Sequence, residues 1–517
     1  MQNSGLGKSV SDKTDELLYR RQFFLGVDDL RAFPRWNRQE IAGKYRLCAH
    51  PDLRITHCEN ERRSITLLGY ILDPDNPGAN DETIVVSLLE KFSSPTDIPG
   101  LTYRLGGRWV IIAHDGEKTV LFHDAAGLRQ IYYFQALIRG RQETICASQP
   151  GLIAETFSLS PDPGAIDYVK SRGDSDSEVH WMPGDTSQYR DIRALLPNHR
   201  LDLHNSEVAR YWPTGRLQSI SLDRGVAEAI GLLRGLVESA RNRYPLSIAM
   251  TAGWDSRLML ALGKDAKEDL YCYTMTYPDL SEASRDVWVP AKLLGNIDLV
   301  HHLIKYPTII NQAFKNIFKK NSSALHRAYC ADAQALYENY PADRMCVTGD
   351  VAEIAKCYYR LRRNPENRVS ANDLARVSKV GNHHFAVSAF DSWLSRLTGD
   401  EQIDLLDLFC WEQTAGRWHA QIRAEYDISQ ESFAPLNCRS LLETMLAVDK
   451  KHRQAPDYTL FRQIISALWS ELLLVPINPR EKIKWKWIVV DALTRIHLYQ
   501  LIPSALKEFG KRLLKAS

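Results

Sequence analysis

A stretch at 246–257 constrains the fold of this chain more than any other, with the sequence Leu-Ser-Ile-Ala-Met-Thr-Ala-Gly-Trp-Asp-Ser-Arg. Its first five residues are an apolar run, too short for a helix and of the right length for a buried strand. The run breaks at residues 251–253, and helical character resumes at Ser256. We therefore expect a strand, a loop of small residues and a helix. Backbone N–H groups and the helix dipole both face such a loop, which makes it suitable for binding an anion.

Length and composition predict a globular protein with more than one domain. A chain of 517 residues is too long for one ordinary core. Its 65 basic and 63 acidic side chains leave a net charge of +2, so nucleic acid is not expected as the partner. Nine cysteines, none of them in a C-x-x-C pair, favour reduced thiols and a cytoplasmic location. The sequence shows no signal-like segment and no apolar run of spanning length, so neither secretion nor a membrane span is expected.

The segment 23–213 is rich in short apolar runs separated by turns. One helix is expected near 81–92. The strands expected at hairpin spacing are 64–72, 109–113, 120–122, 130–134 and 144–147. This pattern is typical of an α+β domain in which antiparallel pairing dominates.

From about residue 217 the pattern changes to an alternation of strands and helices. The elements expected in order are helix 224–243, strand 246–250, strand 270–276, helix 281–295 and strand 298–302. This rhythm predicts an α/β domain with a parallel sheet, in which ligands bind at the carboxyl ends of the strands. The chain is mainly helical after residue 373, with helices expected at 405–413 and 459–469.

Five segments, taken in order, resemble the asparagine synthetase family of ATP pyrophosphatases and amide ligases. Residues 105–133 resemble the L-x-G-x-F-A…R-D-x-x-G-x-x-P-L-Y-Y pattern of its glutaminase domain. The loop 251–256 resembles the pyrophosphate loop S-G-G-x-D-S, and 281–295 resembles the helix that follows it. Residues 348–353 resemble S-G-x-G-[AGS]-D-E, and 480–485 resemble R-x-K-x-x-F. A further segment, 431–437, resembles E-x-R-x-P-F-L-D, with Asn437 in place of Asp.

The resemblance implies two domains. Residues 1–213 would form an α+β domain of the Ntn-hydrolase type, a degenerate glutaminase. Residues 214–517 would form an α/β ATP-pyrophosphatase domain with a parallel sheet and a helical C-terminal part. In this family the glutaminase nucleophile is a cysteine exposed by removal of the initiating Met. Here position 2 is Gln and the first cysteine is Cys48, so glutamine hydrolysis is not expected.

The resemblance also implies ATP and Mg²⁺ as cofactors, and a set of site residues. Asp350 stands at the position of the general base and Lys482 at that of the catalytic lysine, although Lys484 and Lys486 lie in the same run. The implied metal-binding residues are Asp255 and Glu353. The implied nucleotide-binding residues are Thr251, Ala252, Gly253, Asp255, Ser256, Met275 and Gly349. Ala252 replaces a Gly of the family, Glu353 an Asp and Ile354 a Glu, and these departures leave open whether activity is complete.

The reaction implied is adenylation of a substrate carboxylate with release of pyrophosphate, followed by attack of an amine on the acyl group. A tailoring ligase is favoured, because relatives without the cysteine close β-lactams and lasso-peptide macrolactams or amidate sugar acids. The alternatives are an asparagine synthetase that uses free ammonia and an inactive nucleotide-binding scaffold. The substrate would be a small-molecule or peptide carboxylate together with an amine donor. The sequence leaves the oligomeric state open, a homo-oligomer included.

Overall fold

The computed structural model describes residues 14–172, 181–277, 280, 282–322, 329–361, 368–399 and 403–479. These residues form an α/β structure with three sheets. In chain order the strands are β1 (Phe23–Gly26), β2 (Asn37–Ile41), β3 (Tyr45–Ala49), β4 (Ile55–Glu59), β5 (Ser64–Leu72), β6 (Gly106–His114), β7 (Thr119–His123), β8 (Tyr132–Ile138), β9 (Arg141–Ala147), β10 (Arg193–Ala194), β11 (His199–Asp202), β12 (Val208–Arg210), β13 (Leu246–Ala249), β14 (Tyr271–Thr276), β15 (His301–Lys305), β16 (Met345–Val347) and β17 (Ser432–Phe433).

The helices surround these sheets and dominate the last third of the described chain. In chain order they are α1 (Thr14–Leu17), α2 (Asp81–Lys91), α3 (Ile98–Leu101), α4 (Pro150–Phe157), α5 (Pro163–Ser171), α6 (Leu222–Arg241), α7 (Trp254–Leu262), α8 (Arg285–Gly295), α9 (Gln312–Ser322), α10 (Tyr329–Asn339), α11 (Ala352–Ala355), α12 (Ala371–Val377), α13 (His384–Ser395), α14 (Leu405–Phe409), α15 (Ala420–Tyr426), α16 (Arg439–Ala447), α17 (Lys450–Arg453) and α18 (Thr459–Trp469). A π-helix, Cys410–His419, joins α14 to α15. Short 3₁₀ helices lie at Pro95–Asp97, Lys264–Asp269 and Ser470–Leu474.

Two six-stranded antiparallel sheets pack face to face in the first part of the chain. Their strand orders are β10-β8-β9-β1-β3-β2 and β12-β11-β7-β6-β5-β4. Strand β1 shows how the layers form, because its side chains alternate between faces. Phe23 and Leu25 join a core that both sheets share, whereas Phe24 packs on the outer side with residues of α4. Helix α2 covers the outer side of the second sheet. The predicted antiparallel α+β structure is therefore present.

The third sheet is parallel, with the order β15-β14-β13-β16-β17. Its first strand in the chain is the central β13. Strands β14 and β15 are added on one side of it, and the chain then crosses to add β16 and β17 on the other. The direction of winding thus reverses between β13 and β16. In open α/β sheets, the crevice at the carboxyl ends of strands on either side of such a reversal is where ligands bind.

Two elements of the parallel part begin three or more residues later than predicted, whereas β14 begins one residue later. The helix predicted at 281–295 begins at Arg285. The strand predicted at 298–302 is wrong in position, because β15 begins at His301. Asp298 has a φ of +53°, and the N–H of Leu299 donates to the carbonyl of Leu294 at 2.9 Å. These residues close the end of α8, so they are not extended.

The helix predicted at 405–413 changes type along its length. Helix α14 ends at Phe409, and the next ten residues form the π-helix. The apolar spacing predicted a helix but did not distinguish hydrogen bonds to the fourth residue from hydrogen bonds to the fifth. π-Helices are rare and frequent at functional sites. The last residue of this one is His419, which contacts the site described below.

Buried polar contacts join the antiparallel sheets to the parallel one. The guanidinium of Arg108, on β6, donates to both carboxylate oxygens of Asp427, at 2.5 and 2.8 Å. Loss of Arg108 would leave the buried carboxylate of Asp427 without its ion-pair partner, which costs about 3–5 kcal/mol, whereas Arg108 also contacts Glu431 at 3.1 Å. Asn437 donates to Oδ1 of Asp124 at 2.8 Å and so belongs to the same junction. The segment 431–437 therefore contributes to the contact between the antiparallel part of the chain and the part that contains the parallel sheet.

The domain boundary predicted between residues 213 and 214 falls between β12 and α6, and it stays a prediction. Within the described ranges, no helix is both long enough and apolar enough to cross a membrane.

Candidate functional site

A cavity of about 420 Å³ lies at the carboxyl ends of β14, β13 and β16, beside the reversal in winding. Thr251 lines it from the loop after β13, Ser256 from the first turn of α7, and Met275 from β14. Gly349 and Asp350 line it from the loop after β16. A larger groove of about 710 Å³ lies at the opposite ends of the strands, where residues preceding β13 and β14 form its wall. The smaller cavity is the candidate site, because parallel sheets bind ligands at their carboxyl ends.

The loop after β13 is closed by its own side chains. The N–H of Thr251 donates to Oγ of Ser256, and the N–H of Gly253 donates to Oγ1 of Thr251, each at 3.2 Å. The N–H of Ala252 donates to Oδ1 of Asp286 at 2.9 Å. Asp286 lies in the first turn of α8 and also lines the cavity. The carboxylate of Asp286 therefore accepts a hydrogen bond from a backbone N–H that could otherwise bind an anionic ligand.

A lysine lies between the two acids predicted to bind metal. Nζ of Lys356 is 2.7 Å from each carboxylate oxygen of Asp255 and 3.3 Å from Oε1 of Glu353. Burial raises the pKa of Asp255 to about 6 against the opposing charge of Lys356. Burial lowers the pKa of Lys356, but the charges of Glu353 and Asp255 outweigh it and the net direction is upward. The three side chains form one coupled charged group.

The pair Asp255 and Glu353 suits a small divalent cation. Both present carboxylate oxygens within 3.3 Å of one point, the Lys356 nitrogen. Oε2 of Glu353 is buried and accepts no hydrogen bond from the part of the chain that the structure describes. No group of three or more His, Cys, Asp or Glu that could hold a metal occurs among those residues. Mg²⁺ typically takes only one or two carboxylates and completes its shell with phosphate and water, so two acids are sufficient.

Asp350 is fixed by two neighbours. Its Oδ2 accepts a hydrogen bond from the Thr348 hydroxyl at 2.8 Å and lies 3.0 Å from Nε of the buried Arg423. The next residue, Val351, has a φ of +75°, which is strained for a β-branched side chain and costs about 1–3 kcal/mol. Its N–H donates to Nδ1 of His419 at 3.2 Å. Strain of this kind is concentrated at functional sites.

Gly349 brings the two loops into contact. A Cβ added there would lie 2.5 Å from Cβ of Asp255 and 3.3 Å from its carbonyl carbon. The residue is therefore required to be glycine by close approach, since no larger side chain fits without moving Asp255.

We expect Gly349→Ala to destabilise the protein by about 1–3 kcal/mol, because it overpacks the contact between the loops. Denaturant unfolding measures this. The matched control is Gly231→Ala in α6, where an added Cβ meets nothing within 4 Å. That change should stabilise by about 0.5–1 kcal/mol, since glycine is unfavourable inside a helix. Equal stability of Gly349→Ala and the parent would contradict the described contact.

The chain returns to the loop after β13 just before residue 480. The N–H of Asn478 donates to the carbonyl of Ala252 at 2.9 Å. The buried guanidinium of Arg257, on α7, donates to the carbonyls of Leu472 and Val475 and so anchors this return. Lys482, with its neighbours Lys484 and Lys486, lies outside the described residues.

The cysteines offer no activated thiol. All nine are free, and eight of them are buried. Burial raises the pKa of Cys48 to about 11 and that of Cys272 to about 12. A thiol with a raised pKa is a poor nucleophile, because the thiolate is the reactive form.

We therefore expect the purified protein to release no ammonia from glutamine above a heat-inactivated control. Cys48→Ser, which removes the first thiol of the chain, should leave that background unchanged. Ammonia release that disappears in Cys48→Ser would contradict this expectation.

Most predicted site residues come together, although their roles stay predictions. The predicted residues that line the cavity are Thr251, Asp255, Ser256, Met275, Gly349 and Asp350. Ala252 and Gly253 lie in the loop after β13, and Glu353 lies in the short helix α11 that follows Asp350. Sequence reasoning missed Asp286, Lys356, His419 and Arg423. Lys356 follows Glu353 by three residues, a spacing that pairs charges on a helix. Asp286 is an acid in the first turn of a predicted helix. Nothing local marked Arg423 or His419.

No protein-family model matches this chain, and no curated protein matches it. Among solved structures it is similar to a glutamine-dependent NAD⁺ synthetase from Acinetobacter baumannii in complex with ADP, at 13% identity and a TM-score of 0.20. That match covers 49% of this chain and 60% of the synthetase, so this chain spans less than two thirds of its length. It is also similar to the glutamine PRPP amidotransferase from B. subtilis complexed with ADP and GMP, at 9% identity and a TM-score of 0.24, over 77% of this chain and 91% of that one. Sequence identities and TM-scores this low do not identify a family.

Proposed function

We propose that this protein is an ATP-dependent ligase that adenylates a carboxylate, releases pyrophosphate and joins the acyl group to an amine. The specific assignment is to the asparagine synthetase-like amide ligases, of the tailoring type and without glutaminase activity. The observation that carries it is the contact of Gly349 with Asp255. Two loops separated by more than ninety residues, each resembling a loop of that family, meet at one cavity where the sheet changes direction.

The proposed chemistry has two steps. In the first, a carboxylate oxygen of the substrate attacks the α-phosphorus of ATP, and the bond to pyrophosphate breaks. In the second, the amine attacks the activated acyl carbon, AMP leaves and a base takes the proton. Splitting the acylation in this way replaces one difficult step by two easier ones. Mg²⁺ bound by Asp255 and Glu353 would neutralise charge on the phosphates.

The residues of this chain supply positioning and a proton acceptor. Thr251 and Ser256 line the cavity, and their hydroxyl groups would contact the phosphates of ATP. The contacts from Thr348 and Arg423 both fall on Oδ2 of Asp350, which leaves Oδ1 to accept the proton of the amine. A base held by an ion pair and a hydrogen bond is already oriented, and that orientation lowers the entropic cost of the transfer.

A second candidate is a nucleotide-binding scaffold without turnover. Two contacts favour it. The N–H of Ala252 donates to Asp286, and the ammonium of Lys356 donates to both carboxylate oxygens of Asp255. Each must be given up before the loop and the acid can bind phosphate and metal. An ammonia-dependent asparagine synthetase has the same first step and differs only in its substrates.

The deciding experiment measures pyrophosphate release from ATP and Mg²⁺ in the presence of panels of carboxylates and amines, aspartate with ammonium among them. A ligase releases pyrophosphate only with a suitable carboxylate. Nucleotide binding without release over the whole panel would support the scaffold instead. Conversion of aspartate to asparagine by ammonium would identify the synthetase.

We expect Asp350 and Glu353 to have separable roles. Asp350→Asn should block amide formation more than adenylation, because the base acts on the amine. Glu353→Gln should slow adenylation and raise the Mg²⁺ concentration needed for it. Pyrophosphate release and product formation, measured separately across a Mg²⁺ titration, test this. Equal loss of both half-reactions in both variants would contradict the division.

A further inference from the structure

All three N–H donors of the Lys356 ammonium have a carboxylate acceptor in the structure. A lysine has three N–H donors. Three carboxylate oxygens surround Nζ, two from Asp255 at 2.7 Å and one from Glu353 at 3.3 Å. The side chain is buried, and its nitrogen lies 6.0 Å from the centre of the Phe461 ring. This lysine therefore has no donor left for a ligand while it holds both acids.

Lys356 also stands where a metal between these acids would stand. A divalent cation needs the same carboxylate oxygens, and the repulsion between it and an ammonium a few ångströms away is large in a partly buried site. A metal that bound at the point between Asp255 and Glu353 would have to displace the Lys356 nitrogen, because that nitrogen already lies within 3.3 Å of oxygens of both acids.

We propose that the Lys356 ammonium and a divalent cation exclude each other at Asp255 and Glu353. Lys356 keeps the nucleotide-free protein from binding metal, and it leaves the two acids when metal arrives with nucleotide phosphates. Lys356 is thus a positioning residue that couples metal binding to nucleotide binding. This inference rests on the assignment of the two acids in the proposed function.

The test uses Mn²⁺ alone, titrated into the full, nucleotide-free chain and followed by the electron paramagnetic resonance signal of the free ion. We expect weak binding to the wild type and binding at least tenfold tighter to Lys356→Gln. Lys356→Arg keeps a cation in place and should stay as weak as the wild type. Lys292→Gln on α8 controls for the loss of one positive charge elsewhere. Adding Asp255→Asn to Lys356→Gln should remove the tight site.

Two results would overturn the proposal. One is Lys356→Gln binding Mn²⁺ no more tightly than the wild type. The other needs no lysine variant: tight Mn²⁺ binding by the nucleotide-free wild type that Asp255→Asn abolishes. Because turnover is not measured, the outcomes are separable from those of the proposed function. A protein that never releases pyrophosphate but shows this competition would overturn the ligase and keep the inference.

Discussion

Asp255→Asn is expected to abolish pyrophosphate release while the protein stays folded. The substitution keeps the size of the side chain and removes the negative charge that, in the proposed mechanism, would hold Mg²⁺ against the departing phosphates. Glu353 still lies 3.3 Å from Lys356, so the ammonium keeps a partner and the fold is expected to survive. Single-turnover pyrophosphate release measures the effect, and thermal unfolding checks the fold.

The matched control for this change is Asp265→Asn. Asp265 is exposed and lines the groove at the opposite ends of the strands, so its loss should leave turnover unchanged. If Asp255→Asn turned over like the parent, the assignment of the loop after β13 to phosphate binding would be wrong.

Lys482→Met is expected to reduce turnover on the order of a hundredfold or more, the range seen when one preorganised electrostatic group is removed. Its ammonium would stabilise charge that grows on the α-phosphate during adenylation. An interaction used mainly in the transition state changes turnover more than affinity, so nucleotide binding should change little. Asn478, which precedes Lys482 by four residues in the sequence, donates its N–H to the carbonyl of Ala252 at 2.9 Å.

Lys484→Met and Lys486→Met are the controls. Both residues lie in the same run of lysines as Lys482, and their substitution is expected to reduce turnover only slightly. Single-turnover pyrophosphate release in the three variants, beside a nucleotide-binding titration, decides the register. A crippled Lys484→Met with an active Lys482→Met would shift the motif by two residues and leave the rest of the proposal standing.

Much of the fold was predictable because its elements have local signatures. The strand predicted at 64–72 and the helix predicted at 459–469 have the same bounds in the structure, as β5 and α18. β5 is buried along its whole length and α18 has apolar residues at helical spacing, and long apolar patterns of both kinds report burial. The strand predicted at 298–302 failed because two residues belong to the end of the preceding helix, a turn that apolar spacing does not reveal.

The candidate site shows a similar division. The loop at 251–256 and the loop at 348–353 could be proposed from residue types and order alone. Their contact could not, because it depends on a glycine whose missing Cβ lets Asp255 approach. Arg423 reaches Asp350 from a helix about seventy residues further on, and no local pattern connects them.

The sequence by itself determined where strands, turns and helices occur and which loops are suited to bind an anion, because backbone preference and hydrophobic spacing are local properties. Only the tertiary structure decided what those loops contact. Asp286 takes the Ala252 amide, Lys356 joins Asp255 to Glu353, and Val351 is held in a strained conformation with its N–H on His419. The contacts of Ala252 with Asp286, of Asp255 with Lys356 and of Val351 with His419 each join residues more than thirty positions apart. They depend on packing between distant parts of the chain, which local sequence patterns do not report.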